Sequence, residues 1–145
     1  MTNISHSLLR YHGSKWRIAK KILPLFPTHS VYVDVFGGSA SILLQKNRSV
    51  TEVYNDLDEE IYKFFKVLRE KPEALAKALR LTPIHRSELI KSYDDTENEI
   101  EWARRFIVKS RFRNHTTSTN KTSGFRMMMN KTDFHHSQSF MAFIG

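Results

Sequence analysis

The first half of the chain alternates apolar runs with polar turns at the spacing of strands and helices. The run VYVDVF at residues 31–36 predicts a buried strand, and Gly37 and Gly38 predict the turn that ends it. A helix is expected over residues 39–46, and the run SVTEVYN at residues 49–55 predicts a second strand. Strands that alternate with helices in this way are typical of a parallel α/β sheet with right-handed crossovers.

Helical periodicity flanks both strands. Ser14 is expected to cap a short basic helix that ends near Leu23, before two prolines. Asp58 is expected to open a longer amphipathic helix with acidic residues in its first turn. The core face of that helix should comprise Ile61, Phe64, Phe65 and Leu68.

The pattern then stays helical, which predicts a helical insertion. Helices are expected over residues 72–80, where a proline fits the first turn, and over residues 86–93. A third helix should run from residue 97 to residue 111, with a capping box of Thr96 and Glu99. Its buried residues should be Ile100, Trp102, Ala103, Phe106 and Ile107.

Composition narrows the class of protein. The 145 residues include no cysteine, which excludes a disulfide framework and a thiolate zinc site. No apolar run is long enough for a signal peptide or a membrane span, so we expect a cytoplasmic protein without a membrane partner. His115, His135 and His136 have no acidic or cysteine set to complete a metal shell, so no metal site is predicted.

Charge is distributed unevenly along the chain, whose net charge is +8. Residues 1–30 carry five basic and no acidic side chains, residues 31–100 carry ten against thirteen, and residues 101–145 carry eight against two. Basic ends of this kind suit a polyanion, because lysine and arginine contact phosphates and release counterions. Nucleic acid is therefore the favoured partner, and the alternative is that the charge serves solubility alone.

The glycine turn and the acids after the second strand indicate a ligand site. Glycines at the end of a strand let backbone approach a ligand, and an acid at the end of the next strand can accept hydrogen bonds from ribose hydroxyls. Asp56 lies 19 residues after Gly37, close to the interval of roughly 20 residues expected of a nucleoside site. A full G-x-G-x-x-G pattern is absent because of Ala40. The alternative is a tight turn followed by a helix cap.

Asp34 bears on which nucleoside would bind. A carboxylate at the end of a buried strand is costly without a partner and would repel a pyrophosphate. S-adenosylmethionine is cationic and carries no phosphate, so it fits an acidic pocket better than a dinucleotide does. The alternative is that Asp34 accepts hydrogen bonds from the turn. A nicotinamide-dependent dehydrogenase would leave the amino-terminal loop, Asp34 and the basic helical insertion without a role.

Three motifs in order carry a resemblance to a known family. RYHGSKW, VDVFGGSAS and VYNDLD together resemble the opening of the DNA adenine-N6 methyltransferases of the DNA adenine methylase (Dam-like) group. The resemblance implies S-adenosylmethionine as cofactor and an α/β fold, a partial Rossmann-like methyltransferase sheet with a helical target-recognition insertion. The residues that match the cofactor site of the family are Tyr11, Lys15, Asp34, Phe36, Gly38 and Asp56.

The same resemblance divides the chain into three parts. It implies a cofactor-binding part at residues 1–70, a helical and basic target-recognition region at residues 71–135, and the start of a truncated element at residues 136–145. Double-stranded DNA is the implied substrate. The expected DNA contacts are Arg111, Arg113, Asn114, Lys121 and Arg126.

One family motif has no counterpart in the sequence. The family holds a flipped target adenine with an Asp/Asn-Pro-Pro-Tyr/Phe segment, whereas the prolines here are Pro24, Pro27, Pro72 and Pro83. We therefore expect a site-specific DNA adenine methyltransferase truncated before its catalytic motif, with no catalytic residue to assign and little activity alone. Its partner would be a complementary polypeptide or a second copy of the chain. The alternative is a non-catalytic DNA-binding remnant.

Overall fold

A computed structural model describes residues 7–113 and 124–125 of the chain. The elements of this described part are α1 (Ala19–Ile22), a short 3-10 helix (Leu23–Leu25), β1 (Val31–Asp34), β2 (Thr51–Tyr54), α2 (Glu59–Glu70), α3 (Pro72–Arg80), α4 (Arg86–Lys91) and α5 (Glu99–Phe112). None of the described helices has the length and apolar character needed to cross a membrane.

The two strands form a parallel sheet, in which Val31 pairs with Thr51 and Asp34 pairs with Tyr54. Both predicted strands are confirmed in position, although each is shorter than its apolar run. The mixed α/β architecture is confirmed as well. A larger Rossmann-like sheet stays a prediction, because the described residues contribute two strands to the sheet. Parallel pairing places the carboxyl ends of β1 and β2 at the same edge.

The prediction that β1 is a buried strand is wrong, because its residues alternate between exposed and half-buried. Val31, Val33 and Val35 are 54%, 51% and 51% exposed, and Val53 of β2 is 43% exposed. Successive side chains of a strand point to opposite faces, and Val53 pairs with Val33, so Val31, Val33 and Val53 share one face. Val35 lies in the turn that follows β1. The described helices pack against one another rather than over this face, which is why the valines remain accessible.

The prediction of a helix over residues 39–46 is also wrong. The chain forms consecutive turns there, in which the Leu44 N–H donates to the Ala40 carbonyl oxygen at 2.9 Å. Ala40 has φ +54°, in the left-handed region that interrupts an α-helix. Ala40 is the position at which the sequence lacks a further glycine. The backbone there keeps a conformation that glycine favours, although alanine occupies the position.

The amino-terminal helix is shorter than predicted. It begins at Ala19 behind Ile18, whose side chain makes no capping hydrogen bond, and not at Ser14. The Ser14 hydroxyl lies 2.8 Å from the hydroxyl of Ser41 instead. A hydrogen bond to a distant part of the chain has replaced the local cap, since a serine hydroxyl can serve either purpose.

The long helix α2 is central to the core, as predicted. Asp58 caps it by accepting the Glu60 N–H at 3.0 Å. Phe64 is fully buried and stacks on Phe106 of α5, with ring centroids 5.3 Å apart. Phe65 was expected in the core and packs against it while partly exposed. The other buried members of this core are Leu8, Leu9, Ile61, Val67, Leu68, Leu75, Ala76 and Ala103.

The three helices predicted after α2 are present. The bounds of α3 are those predicted, whereas α4 ends two residues early at Lys91. The expected capping box of Thr96 and Glu99 is wrong, because the side chain of Asn98 caps α5 and accepts the Glu101 N–H at 3.0 Å.

Of the residues expected to be buried in α5, Ala103 and Phe106 are buried, Ile100, Trp102 and Ile107 are half-buried, and Val108 is buried without having been predicted.

An ion-pair network joins α4 to α5. The Arg104 guanidinium donates to both carboxylate oxygens of Glu101 at 2.7 Å and to Glu88 of α4 at 2.7 Å. It also donates to the Thr82 hydroxyl at 3.1 Å. Bidentate contacts between arginine and a carboxylate are among the stronger hydrogen bonds. The hydrogen bonds from Arg104 lower the pKa of Glu101 to about 2.

We predict that this network makes stability depend on pH in the acid range. The pKa of Glu101 in the folded chain lies below its ordinary value of 4.5, so its contribution is present above that value and is lost as the pH falls towards 2. When the pH is lowered from about 6 to about 3, the unfolding free energy of Glu101→Gln should fall by about 1 kcal/mol less than that of the wild-type chain. Urea denaturation at the two pH values measures the difference.

The matched control is Glu97→Gln, which changes an exposed acid in the loop before α5. This variant should lose as much stability on acidification as the wild-type chain does. An equal loss for Glu101→Gln would show that the network with Arg104 contributes nothing to the acid dependence.

Candidate functional site

Three segments of the chain meet at the carboxyl edge of the sheet. They are the amino-terminal loop (residues 11–16), the glycine turn (residues 35–38) and the acidic segment at the end of β2 (residues 54–58). Parallel pairing of the strands brings the last two together, and Tyr11 of the loop reaches both. The predicted residues Tyr11, Gly38 and Asp56 are therefore neighbours.

The acidic segment holds the glycine turn by hydrogen bonds. The Gly37 N–H donates to the Asn55 carbonyl oxygen at 2.9 Å, and the Gly38 N–H donates to the Asp56 carboxylate at 2.7 Å. The Tyr54 hydroxyl donates to the Gly38 carbonyl oxygen at 2.6 Å. Because Asp56 binds the turn directly, the orientation of its carboxylate and the path of the turn are fixed together.

Close approach explains why glycine stands at both positions of the turn. A Cβ atom at Gly37 would overlap the ring of Tyr54. Gly38 has φ +49°, and a Cβ atom there would lie 3.0 Å from ring atoms of Tyr11. Two tyrosine rings therefore pack directly on the turn, and neither position has room for a side chain.

Asp56 uses both carboxylate oxygens within the chain. Oδ2 accepts the Gly38 N–H at 2.7 Å, and Oδ1 accepts the Asp58 N–H at 3.0 Å. A carboxylate offers about four lone-pair positions, so about two remain for a ligand. The side chain is thus oriented by the protein and still able to accept hydrogen bonds from a pair of hydroxyls.

Tyr11 is fixed by the residue that caps α2. Its hydroxyl donates to Asp58 Oδ2 at 2.7 Å, while Asp58 Oδ1 accepts the Glu60 N–H. Burial raises the pKa of Tyr11, and the hydrogen bond to Asp58 and the nearby carboxylates raise it further. The phenol therefore stays protonated and remains a donor, which keeps the amino-terminal loop attached to α2.

Asp34 is a half-buried carboxyl group at the end of β1. Burial raises the pKa of Asp34 above its ordinary value, and the charge of Asp56 adds to the rise. A hydrogen bond from Tyr32 and the positive charge of Lys15 act in the opposite direction. Lys15 is exposed in the amino-terminal loop, and Phe36 is 71% exposed in the glycine turn. A cation placed here would stabilise the charged form of Asp34.

Sequence reasoning missed three residues that build this edge of the sheet. Tyr54 and Asn55 bind the glycine turn, and Asp58 holds Tyr11 besides capping α2. Tyr54 and Asn55 directly precede Asp56, so proximity to the predicted acid was the available signal. Their role depends on parallel pairing, which places the end of β2 against the turn after β1.

The predicted DNA contacts are only partly within the described residues. Arg111 donates through Nη2 to the carbonyl oxygens of Ser7 and Leu8, at 2.6 Å and 2.8 Å. Arg113 forms an isolated antiparallel bridge with Phe125. Asn114, Lys121 and Arg126 lie outside the described residues, as do His115, His135 and His136. Residues 7–113 and 124–125 contain no group of three or more acidic or histidine side chains suited to a metal ion.

Comparison with known proteins assigns the family. Residues 11–139 match the D12 class N6 adenine-specific DNA methyltransferase family, and the chain therefore belongs to that family. The resemblance to adenine-N6 methyltransferases is thereby confirmed. The modification methylase StsI of Streptococcus sanguinis is 31% identical over 67 residues, a match that covers 46% of this chain and 10% of that protein. The match thus spans about a tenth of the length of that relative.

We predict that Gly37 and Tyr54 are energetically coupled. Gly37→Ala should reduce the unfolding free energy by about 2–3 kcal/mol, because the added methyl group displaces the Tyr54 ring. In a Tyr54→Leu background the same substitution should cost about 1 kcal/mol or less. Urea denaturation of the four chains measures the coupling.

Gly13→Ala is the control for backbone strain. Gly13 has φ +73°, and no atom beyond its two chain neighbours would lie within 4 Å of a Cβ, so the substitution should cost about 1–2 kcal/mol in either background. If Gly37→Ala also costs the same in both backgrounds, contact with Tyr54 is not the reason for glycine at position 37.

Proposed function

We propose that this site binds S-adenosylmethionine and that the chain serves the methylation of adenine N6 in double-stranded DNA. The observation that carries the proposal is the hydrogen bond between the Gly38 N–H and the Asp56 carboxylate, at 2.7 Å. It joins the glycine turn to the acid whose spacing predicted a nucleoside site. Membership of an adenine-specific DNA methyltransferase family supports both the cofactor and the substrate.

The charge at the site favours a cationic nucleoside. Burial raises the pKa of Tyr54, and the nearby charges, that of Asp56 before those of Asp34 and Asp58, raise it further. Lys15 is the positive charge that acts on Asp34. A pyrophosphate would meet repulsion from three carboxylates, whereas an ammonium or sulfonium group would be attracted. The residues present therefore fit S-adenosylmethionine.

Each predicted residue has a role in this proposal. Asp56 would accept hydrogen bonds from the ribose hydroxyls with its remaining lone pairs. Asp34 would attract the ammonium group, and Lys15 would bind the carboxylate, of the methionine part. Tyr11 would pack against a ring of the ligand, while Phe36 and the backbone of the glycine turn would line the methionine side.

Methyl transfer requires more than cofactor binding. S-adenosylmethionine, if held by these residues, would supply an electrophilic methyl group, and its transfer to adenine N6 would break the bond from methyl to sulfur and release the thioether and one proton of the amine. The target base must be flipped out of the duplex and its amino group held in place, and the 145 residues contain no Pro-Pro pair for the clamp of the family. We infer that further residues, in the same or in a complementary polypeptide, supply the clamp.

The proposed DNA surface begins at the end of α5. Arg111 and Arg113 lie there, and Asn114, Lys121 and Arg126 follow along the chain. Arg111 donates through Nη2 to the carbonyl oxygens of Ser7 and Leu8, which joins the end of α5 to the amino-terminal residues.

We predict that the purified chain binds S-adenosylmethionine through Asp56. Asp56→Ala should weaken binding by about 10-fold to 100-fold, because two hydrogen bonds to a charged acceptor are lost. Titration calorimetry measures the effect, and Asp95→Asn, at an exposed acid before α5, should leave the affinity unchanged. A folded wild-type chain that fails to bind S-adenosylmethionine would refute the proposed cofactor, and binding of NAD in its place would favour a dehydrogenase.

We predict that the 145-residue polypeptide alone transfers little or no methyl group to double-stranded DNA. The expected deficit follows from the missing adenine clamp, and labelled S-adenosylmethionine measures it. Addition of a polypeptide that carries the clamp should restore transfer if the two assemble. Incorporation by the chain alone, abolished in Asp56→Ala, would overturn the prediction. Salt-sensitive DNA binding that is indifferent to S-adenosylmethionine would favour the non-catalytic remnant instead.

A further inference from the structure

Three serine hydroxyls from two segments of the chain meet beside the glycine turn. Ser14 Oγ of the amino-terminal loop lies 2.8 Å from Ser41 Oγ and accepts a hydrogen bond from Ser39 Oγ at 3.0 Å. Ser39 Oγ and Ser41 Oγ are 2.7 Å apart. Each hydroxyl can donate once and accept once around this triangle, so all three are satisfied. We call Ser14, Ser39 and Ser41 the hydroxyl clasp.

A second contact joins the same two segments. Gln45 Nε2 donates to the Trp16 carbonyl oxygen at 3.2 Å and to the Ser41 carbonyl oxygen at 3.0 Å. The amino-terminal loop is therefore attached to residues 39–45 on both sides of Lys15. Tyr11 is anchored separately through Asp58.

Burial argues that the clasp is more than a surface contact. Ser39 and Ser41 are 2% and 3% exposed, although both lie in the turns that follow β1 rather than in a helix or strand. Burying hydroxyls costs free energy unless each one is hydrogen-bonded, and apolar side chains would pack there at less cost. A buried polar cluster in which every hydrogen bond is made favours a single arrangement of its residues. The residue that this geometry fixes is Ser14, next to Lys15.

We propose that the hydroxyl clasp positions the amino-terminal loop for the cofactor. Together with Gln45 it holds Ser14 and Trp16, and so fixes the backbone on both sides of Lys15 before the ligand arrives. The loop then does not have to be ordered during binding. This inference rests on the proposed function. It assigns Ser14, Ser39 and Ser41 as positioning residues, which act through the loop and need not touch the cofactor.

The test compares cofactor affinity with stability in matched serine variants. Ser14→Ala and Ser39→Ala should each raise the Kd for S-adenosylmethionine by about 3-fold to 10-fold, the effect of losing one hydrogen bond. Ser14→Thr keeps a hydroxyl and should bind within about twofold of the wild-type chain. Ser92→Ala is the control, because Ser92 is also 2% exposed and donates to the Leu89 carbonyl oxygen at 2.6 Å in α4.

A purely structural role predicts a different pattern. Ser92→Ala and Ser39→Ala would then lower the unfolding free energy to a similar degree, and neither would change the Kd. The clasp instead predicts a changed Kd for Ser39→Ala and an unchanged Kd for Ser92→Ala at similar stability. Amide hydrogen exchange of residues 12–16 in the ligand-free chain should also be faster in Ser14→Ala than in Ser14→Thr.

The possible results separate this inference from the proposed function. Wild-type affinity in both Ser14→Ala and Ser39→Ala would refute the clasp and leave cofactor binding intact. A wild-type chain that does not bind S-adenosylmethionine would refute both proposals. If Ser39→Ala does not fold, Ser14→Ala decides the question, because Ser14 is itself exposed and its substitution leaves no buried cavity.

Discussion

The hydrogen bond from the Gly38 N–H to the Asp56 carboxylate is the contact on which the geometry of the site depends. It connects the turn after β1 to the segment after β2, and both positions follow from the parallel register of the two strands. Tyr54 and Asn55 add further hydrogen bonds between the same segments. The sheet is small, yet the geometry of its carboxyl edge is well defined. Side chains and backbone atoms of the segment at the end of β2 make hydrogen bonds to the backbone of the turn after β1.

The amino-terminal residues connect this edge to the helices. Leu8 and Leu9 are buried in the helical core, and Ser110 of α5 accepts the Arg10 N–H at 2.9 Å. Tyr11 follows directly and bonds to Asp58, the cap of α2. The amino-terminal loop is thus held from the core side by α2 and α5 and from the sheet side by the hydroxyl clasp. Its position relative to Asp34 and Asp56 is determined by contacts distant in sequence.

The charges at this edge of the sheet determine which ligands it favours. Carboxylates gather at the edge of the sheet, where burial raises the pKa of Asp34, while the charge of Lys15 opposes the rise. Bringing like charges together costs free energy unless a cation joins them. The cluster of carboxylates lowers the stability of the chain without a ligand, and the same cluster suits a ligand with an ammonium and a sulfonium group. Family membership and local charge are therefore the two independent grounds for the proposed cofactor.

The sequence by itself determined the elements whose signals are local. The period of apolar residues placed α2 and α3, because helical periodicity depends on residues close in sequence. The spacing of Gly37 and Asp56 drew attention to two segments that the structure joins through the Gly38–Asp56 hydrogen bond, and the ligand of these segments stays a prediction. Tertiary structure decided the features that depend on distant partners: Ser14 bonds to Ser41 instead of capping a helix, and residues 39–46 form turns. The exposed valine face of the sheet also belongs to this second group. An apolar run predicts a strand, whereas its burial depends on which other elements pack over it.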